Sequence, residues 1–223
     1  LLGGFSVGQT VTCQVTPNDG TVTGIPVSDS LTIQNTTPTV TAVIITPSTP
    51  IYSDNLSCSY AFYDANNDSD SSQMTWWVNG VQVGNGDSLP SGSATKGETV
   101  TCEVTANDGI EDGNTASASV VIGNTAPSVS NVIISPNPAY ADDVLGCSYS
   151  FADVDNDPNQ SSIQWLINGT VVGQSASLAT GIAVGGDNVT CEVQSFDGAD
   201  YGTTASTSII ITNSLLTALI ISQ

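Results

Sequence analysis

Short runs of alternating apolar and polar residues, broken by Gly, Pro, Asn and Asp, fill this chain. Leu56, Cys58, Tyr60 and Phe62 alternate in LSCSYAF, as do Leu145, Cys147, Tyr149 and Phe151 in LGCSYSF. A period of two puts each set on one face of a β-strand. Ile163, Trp165 and Ile167 alternate in the same way, and Asn168-Gly169 after them predicts a tight hairpin turn. Val189, Cys191 and Val193 line a further strand, followed by an Asp-Gly turn and a last strand through Ile209 to Ile211. Val132 to Ser135 reads as a short strand stopped by the PNP run at 136–138.

The same text recurs at a fixed period. VTCQVTPNDG (11–20) returns as VTCEVTANDG (100–109) and VTCEVQSFDG (189–198), each offset by 89 residues. NTTPTVTAVIITP (35–47) returns as NTAPSVSNVIISP (124–136), and QMTWWVNG (73–80) as IQWLING (163–169). Such self-similarity is the signature of a repeat architecture. It divides the chain into the back half of a repeat (1–38), two complete repeats (39–127 and 128–213) and the first strand of another (214–223). That last piece, LTALIIS, matches VTAVIIT at 40–46. Within a complete repeat the two cysteines stand 44 positions apart, which pairs Cys58 with Cys102 and Cys147 with Cys191. Cys13 holds the second-cysteine position of a repeat whose first half is not in the sequence, so it is expected unpaired here and bonded in a longer tandem array.

Composition narrows the function. The chain has 21 acids, 17 of them Asp, a single basic residue (Lys96) and no histidine, for a net charge of −20. Asp favours turns and oxygen-ligand sites over helices. With nothing to neutralise phosphates, nucleic acid is excluded as a partner, and so is docking on anionic lipid. No apolar run approaches the ~20 residues of a membrane span, so no insertion is expected in this segment. Without histidine no Ser-His or Cys-His pair exists, and an enzyme is not expected.

Short strands with Cys, Trp 18 positions later and then Cys resemble the immunoglobulin fold, an antiparallel β-sandwich. The resemblance puts the cysteines on strands B and F, with Trp76 or Trp165 packed against them. Val100 and Val189 replace the tyrosine corner two positions before Cys102 and Cys191, so the likeness is to Ig-like repeats generally rather than to antibody domains. The joint recurrence of strand, cysteine, acidic loop, tryptophan, Asn-Gly and N-D-G is similar to tandem Ig-like, PKD-like or cadherin-like modules of large microbial surface and filament proteins. That resemblance implies an all-β, extracellular, array-forming protein.

After the first cysteine strand come YDANNDSD (63–70) and ADVDNDPNQ (152–160). Asp64, Asn66 and Asp68 alternate, as do Asp153, Asp155 and Asp157. Alternating oxygen side chains in a loop can converge on Ca²⁺, which takes six to eight oxygens. The EF-hand pattern fails, because Ser69 and Pro158 replace its glycine and Thr75 and Gln164 its bidentate Glu. Further ligands are expected from the loop after the second cysteine strand, which in this fold shares one end with the acidic loop. It carries Asp108 and Asp112 in one repeat, Asp197 and Asp200 in the other, and the linker brings Asn35 or Asn124 to the same end. The alternative is a solvated Asp-rich turn.

Trp77, which Leu166 replaces in the next repeat, follows Trp76 in a strand and is expected to face outward as a surface contact. Six N-x-Ser/Thr sequons, at Asn35, Asn55, Asn67, Asn159, Asn168 and Asn188, are close to the chance number and decide nothing. The expected function is structural: a segment of an extracellular stalk, fibre or surface filament, partnered by adjoining repeats or copies of itself. Disulfides suit an oxidising compartment, and the NTTP and NTAP linkers are short and proline-stiffened. The alternatives are an adhesin binding a glycan or cell-surface protein through its loops, and an accessory module of a secreted polysaccharide-degrading enzyme.

Overall fold

A computed structural model describes residues 4–213, so the strand expected at 214–223 lies outside the described residues. The contacts form two units. One comprises the chain up to Pro50, Asp54–Ala94 and Glu98–Ile122; the other comprises Ile51–Ser53, Thr95–Gly97 and the chain from Gly123. Two short segments of the first complete repeat, 51–53 and 95–97, therefore belong to the second unit. No described residue is helical.

In the first unit an antiparallel hairpin, β1 (Thr10–Val15) and β2 (Val27–Thr32), precedes a sandwich. Its strands are β3 (Thr39–Thr46), β4 (Leu56–Tyr63), β5 (Gln73–Val78), β6 (Val81–Asn85), β7 (Ser88–Leu89), β8 (Thr99–Asn107) and β9 (Asp112–Val121). They form the sheets β3-β4-β7 and β6-β5-β8-β9. The second unit repeats this with β10 (Ser128–Ser135), β11 (Ala139–Tyr140), β12 (Leu145–Ala152), β13 (Ser162–Ile167), β14 (Thr170–Gly173), β15 (Ser177–Leu178), β16 (Asn188–Phe196) and β17 (Tyr201–Thr212). Its sheets are β10-β12-β15 and β11-β17-β16-β13-β14, in which β11 joins β17 in parallel. Both units are Ig-like β-sandwiches, one sheet of three strands facing one of four or five.

The opening strand of each repeat is longer than its sequence pattern predicts, and the reason is a bulge. Val40 and Ile45 are both buried although five residues apart, and so are Val129 and Ile134. Strict alternation would put one of each pair in solvent. The register shifts between Thr41 and Ile44, and between Ser130 and Ile133. Ala42 and Asn131, both at φ 52°, make the kink that changes phase. The PNP run does stop β10, which ends at Ser135, and β11 after it joins the other sheet.

Each core is sealed by a cysteine pair and a tryptophan. Cys58 on β4 bonds to Cys102 on β8, and Cys147 on β12 to Cys191 on β16, with Cα–Cα distances of 6.4 and 6.3 Å that are ordinary for a disulfide. Trp76 and Trp165 are fully buried. Their indole N–H groups donate to Gly86 O at 3.0 Å and Ser175 O at 2.9 Å, so neither leaves an unpaired donor inside. Asn79-Gly80 and Asn168-Gly169 form the expected tight turns, all four residues at positive φ.

Cys13 lies exposed and unbonded on β1. Val15, Val27 and Leu31 of the same hairpin are more than half exposed, because no second sheet covers it among the described residues. Trp77 differs from expectation in degree. It is on the outer face of β5, opposite Gln82 and Thr101, but is half-buried, and its Nε1 is shielded from solvent without a hydrogen-bond partner.

Candidate metal centre

The three alternating positions of the acidic loop have three different jobs. The first builds the loop. Asp64 Oδ1 accepts the N–H groups of Asn66 at 2.8 Å and Asp68 at 2.9 Å, and Asp153 Oδ1 accepts those of Asp155 and Asp157 at 2.9 and 3.0 Å. The second holds the incoming linker. Asn66 Oδ1 accepts Thr36 N–H at 2.8 Å, and Asp155 Oδ2 accepts Thr125 N–H at 2.6 Å. The third differs between units: Asp157 turns toward the loop after the second cysteine strand, whereas Asp68 keeps a shielded Oδ2 with no hydrogen-bond partner.

That loop contributes a buried aspartate in each unit. Asp108 and Asp197 are each 4% exposed and fold their own turns: Asp108 accepts the N–H groups of Ile110 and Glu111, Asp197 those of Ala199 and Asp200. The other oxygen takes the linker amide. Asn35 Nδ2 donates to Asp108 Oδ2 and Glu111 Oε1, both at 2.8 Å; Asn124 Nδ2 donates to Asp197 Oδ2 and Asp200 Oδ2, both at 2.8 Å. The Glu111 N–H and then the Asn35 amide hold Asp108 below the usual carboxylate range. Burial pushes Asp197 up, but the Asn124 amide and the N–H groups of Asp200 and Ala199 outweigh it and leave it lowered. Both aspartates are therefore charged at neutral pH.

Asp153, Asp157 and Asp197 converge, each offering a carboxylate oxygen within 4.8 Å of the others. Asp155 is not among them: its Oδ2 accepts the linker N–H of Thr125, and its Oδ1 is buried without a partner. Asp112, also a candidate by sequence, is turned away and accepts from Asn107 Nδ2 at 2.7 Å. Its counterpart position is Tyr201, stacked on Phe196 at 4.5 Å between ring centres. Lys96, in the 95–97 segment of the second unit, is the feature sequence reasoning passed over. Its Nζ donates to Asp157 Oδ2 and Asn124 Oδ1, each at 2.7 Å. The hydrogen bond to Asp157 chiefly holds this ammonium above the ordinary lysine range, with Asp155 and Asp197 adding to it against partial desolvation. That Lys96 is the only cation in so acidic a chain was the signal available.

The linker is held along its length. Pro38 and Pro127 are fully buried. Pro127 O accepts from Ser195 Oγ at 3.1 Å and Thr203 N at 3.3 Å, and Val129 N donates to Thr203 Oγ1 at 2.9 Å. In the first unit Asn114 does Thr203's work with both amide atoms, bonding Val40 N at 2.8 Å and Val40 O at 2.9 Å. Such a close approach requires glycine on the facing strand: a Cβ at Gly113 or Gly202 would collide with the carbonyl of Pro38 or Pro127.

No family model matches this chain, and no curated protein matches it. Solved structures similar to it include a two-domain fibronectin type-III segment from chicken tenascin, at 11% identity and a TM-score of 0.34, covering 77% of this chain and 98% of that one. The FN1–FN3 domains of chicken CNTN1 align at 11% identity and 0.32, covering 93% and 79% of the two chains. Sidekick-1 immunoglobulin domains 1–5 align at 14% and 0.33, covering 92% of this chain and 45% of that one. Likeness at this level carries no argument about function. The all-β tandem-sandwich fold rests on the sheets and disulfides described above.

Proposed function

We infer that the chain is a segment of an extracellular multi-domain structural protein, a stalk, fibre or surface filament of the microbial kind its repeats resemble. One observation carries this reading: in both units the linker is fastened to the sandwich it enters by the same set of contacts, from Asn35 to Val40 and from Asn124 to Val129. A chain of independent binding modules has no need of such fastening, whereas a spacer requires it. Two cross-sheet disulfides suit an oxidising exterior, and no helix among the described residues is long and apolar enough to cross a membrane. Its partners are then the adjoining repeats of its own chain or parallel copies.

Backbone ¹⁵N relaxation tests the fastening. Residues 35–38 and 124–127 should show order parameters near 0.85, as rigid as the strands, rather than below 0.6 as in a flexible tether. Gly202→Ala should free the second linker and destabilise its unit by about 1–3 kcal/mol, the usual cost of overpacking, leaving residues 35–38 ordered. Linkers as mobile as loop tips in the unmutated chain would remove the basis for this function.

The adhesin reading keeps one observation in its favour. The outer face of the second unit carries an open cleft of about 660 Å³ lined by Ser162, Gln164, Gln174, Glu192 and Gln194, side chains suited to a hydroxyl-rich ligand. Glycan-array binding abolished by Gln174→Ala would support it. Trp77, half-buried on the matching sheet of the first unit, is the candidate contact for a neighbouring chain.

A further inference from the structure

Superposing the repeats by their 89-residue offset pairs Asn35 with Asn124, Asp64 with Asp153, Asn66 with Asp155, Asp68 with Asp157 and Asp108 with Asp197. In the second unit Lys96 Nζ is held by Asn124 Oδ1 and Asp157 Oδ2. In the first, the two atoms in those positions, Asn35 Oδ1 and Asp68 Oδ2, are shielded from solvent and have no partner, and Asp64 Oδ2 is a third. Asp64 is only 6% exposed. Its counterpart Asp153 presents a carboxylate oxygen to the cluster that receives the ammonium, while in the first unit Asp64 is tied to Asp68 through its loop and Asn35 to Asp108 through its amide. Residues one period before and after Lys96 are Val7 and Gly185, neither of them a cation.

A buried carboxylate oxygen with neither proton donor nor cation is costly. Here the carboxylate oxygens of Asp64 and Asp68 and the amide oxygen of Asn35 are left so in the first unit, whereas in the second unit two of the three matching oxygens hold an ammonium and the third, Asp153 Oδ2, is without a partner as well. We propose that the first unit binds a divalent cation, Ca²⁺ by its chemistry, at the position that the Lys96 ammonium fills in the second unit. Asp64, Asp68 and Asp108 supply three formal negative charges and Asn35 a neutral oxygen, an all-oxygen set in an irregular loop. That favours calcium over magnesium, which demands near-ideal octahedral geometry. Lys96 is the built-in substitute: it neutralises Asp157 permanently, while the first unit depends on the ion in its surroundings. Among the described residues only the lysine-bearing trio is drawn within 4.8 Å, as expected for carboxylates gathered by a cation. The chain should accordingly hold one calcium ion, not two.

The test is a calcium titration of the whole chain, stripped with chelator, followed by amide chemical shifts and by calorimetry. Extracellular modules of modest affinity bind at about 10⁻⁴ to 10⁻³ M, so the range must reach millimolar. One ion per chain is expected, shifting the amides of 64–68 and 108–111 and leaving those of 153–157 and 197–200 unmoved. Asp68→Asn, at a half-buried position, should weaken binding at least tenfold with the strand amides unchanged; Asp64→Asn should abolish it. Lys96→Met should create a second calcium site, raising the stoichiometry to two and bringing 153–157 into the response. Two ions in the unmutated chain would overturn the substitute role of Lys96. No shift at 64–68 in millimolar calcium would overturn the site itself. The linker at 124–127 is fastened without this ion, so its order tests the mechanical reading separately.

Discussion

Replacing Trp165 by Ala should destabilise the second unit by about 3–5 kcal/mol, and Trp76→Ala should do the same to the first. Each indole is 0% exposed, packed between the sheets, with its one polar atom bonded to a backbone carbonyl. Truncation loses the transfer free energy of a large aromatic and leaves both a cavity and an unpaired carbonyl. Against a domain stability of typically 5–15 kcal/mol, that removes a large share. Trp77→Ala, one residue away but on the outer face, should cost only about 1–2 kcal/mol because that ring is half-buried. Urea unfolding of each variant with disulfides intact measures the difference. Equal losses for Trp76→Ala and Trp77→Ala would mean that the register of β5 is wrong.

The disulfides should matter as much. Each closes a loop of 44 residues, which in the chain-entropy account constrains the unfolded state by about 4 kcal/mol. The double variant Cys147→Ala with Cys191→Ala should lose roughly that amount and leave the first unit's transition where it was. Non-reducing peptide mapping should return Cys58–Cys102 and Cys147–Cys191, with Cys13 free to react with thiol reagents. A Cys58–Cys147 link would contradict the fold.

Most of the sandwich was legible because one short pattern is written three times. The cysteine spacing, the alternation around Trp165 and the Asn-Gly turns are local features, and the 89-residue period multiplies a weak signal. The bulges at Ala42 and Asn131 were not legible, because a run such as VTAVIIT does not announce where its phase changes; only the need to bury both Val40 and Ile45 does. The acidic loop was legible as a candidate oxygen site but not in its division of labour. Nothing in D-x-D-x-D distinguishes the aspartate that folds the loop from the one that holds a linker amide. The role of Lys96 depends on a contact 61 residues along the chain, which no local pattern carries. Gly113 and Gly202 likewise read as ordinary strand glycines until the linker carbonyl is seen against them.

The most direct test of a structural role is to pull the chain from its two ends. A mechanical array should resist and then yield in discrete steps, one for each complete repeat. With disulfides intact, a step frees only about 45 of the 89 residues of a repeat, since 44 stay locked behind the bond. At roughly 3.5 Å per extended residue the contour should grow by about 150 Å per step, and by about 300 Å once the bonds are reduced. Steps of that size, doubling with reductant, are the predicted result. Smooth extension without resolved steps, or steps indifferent to reductant, would contradict the account.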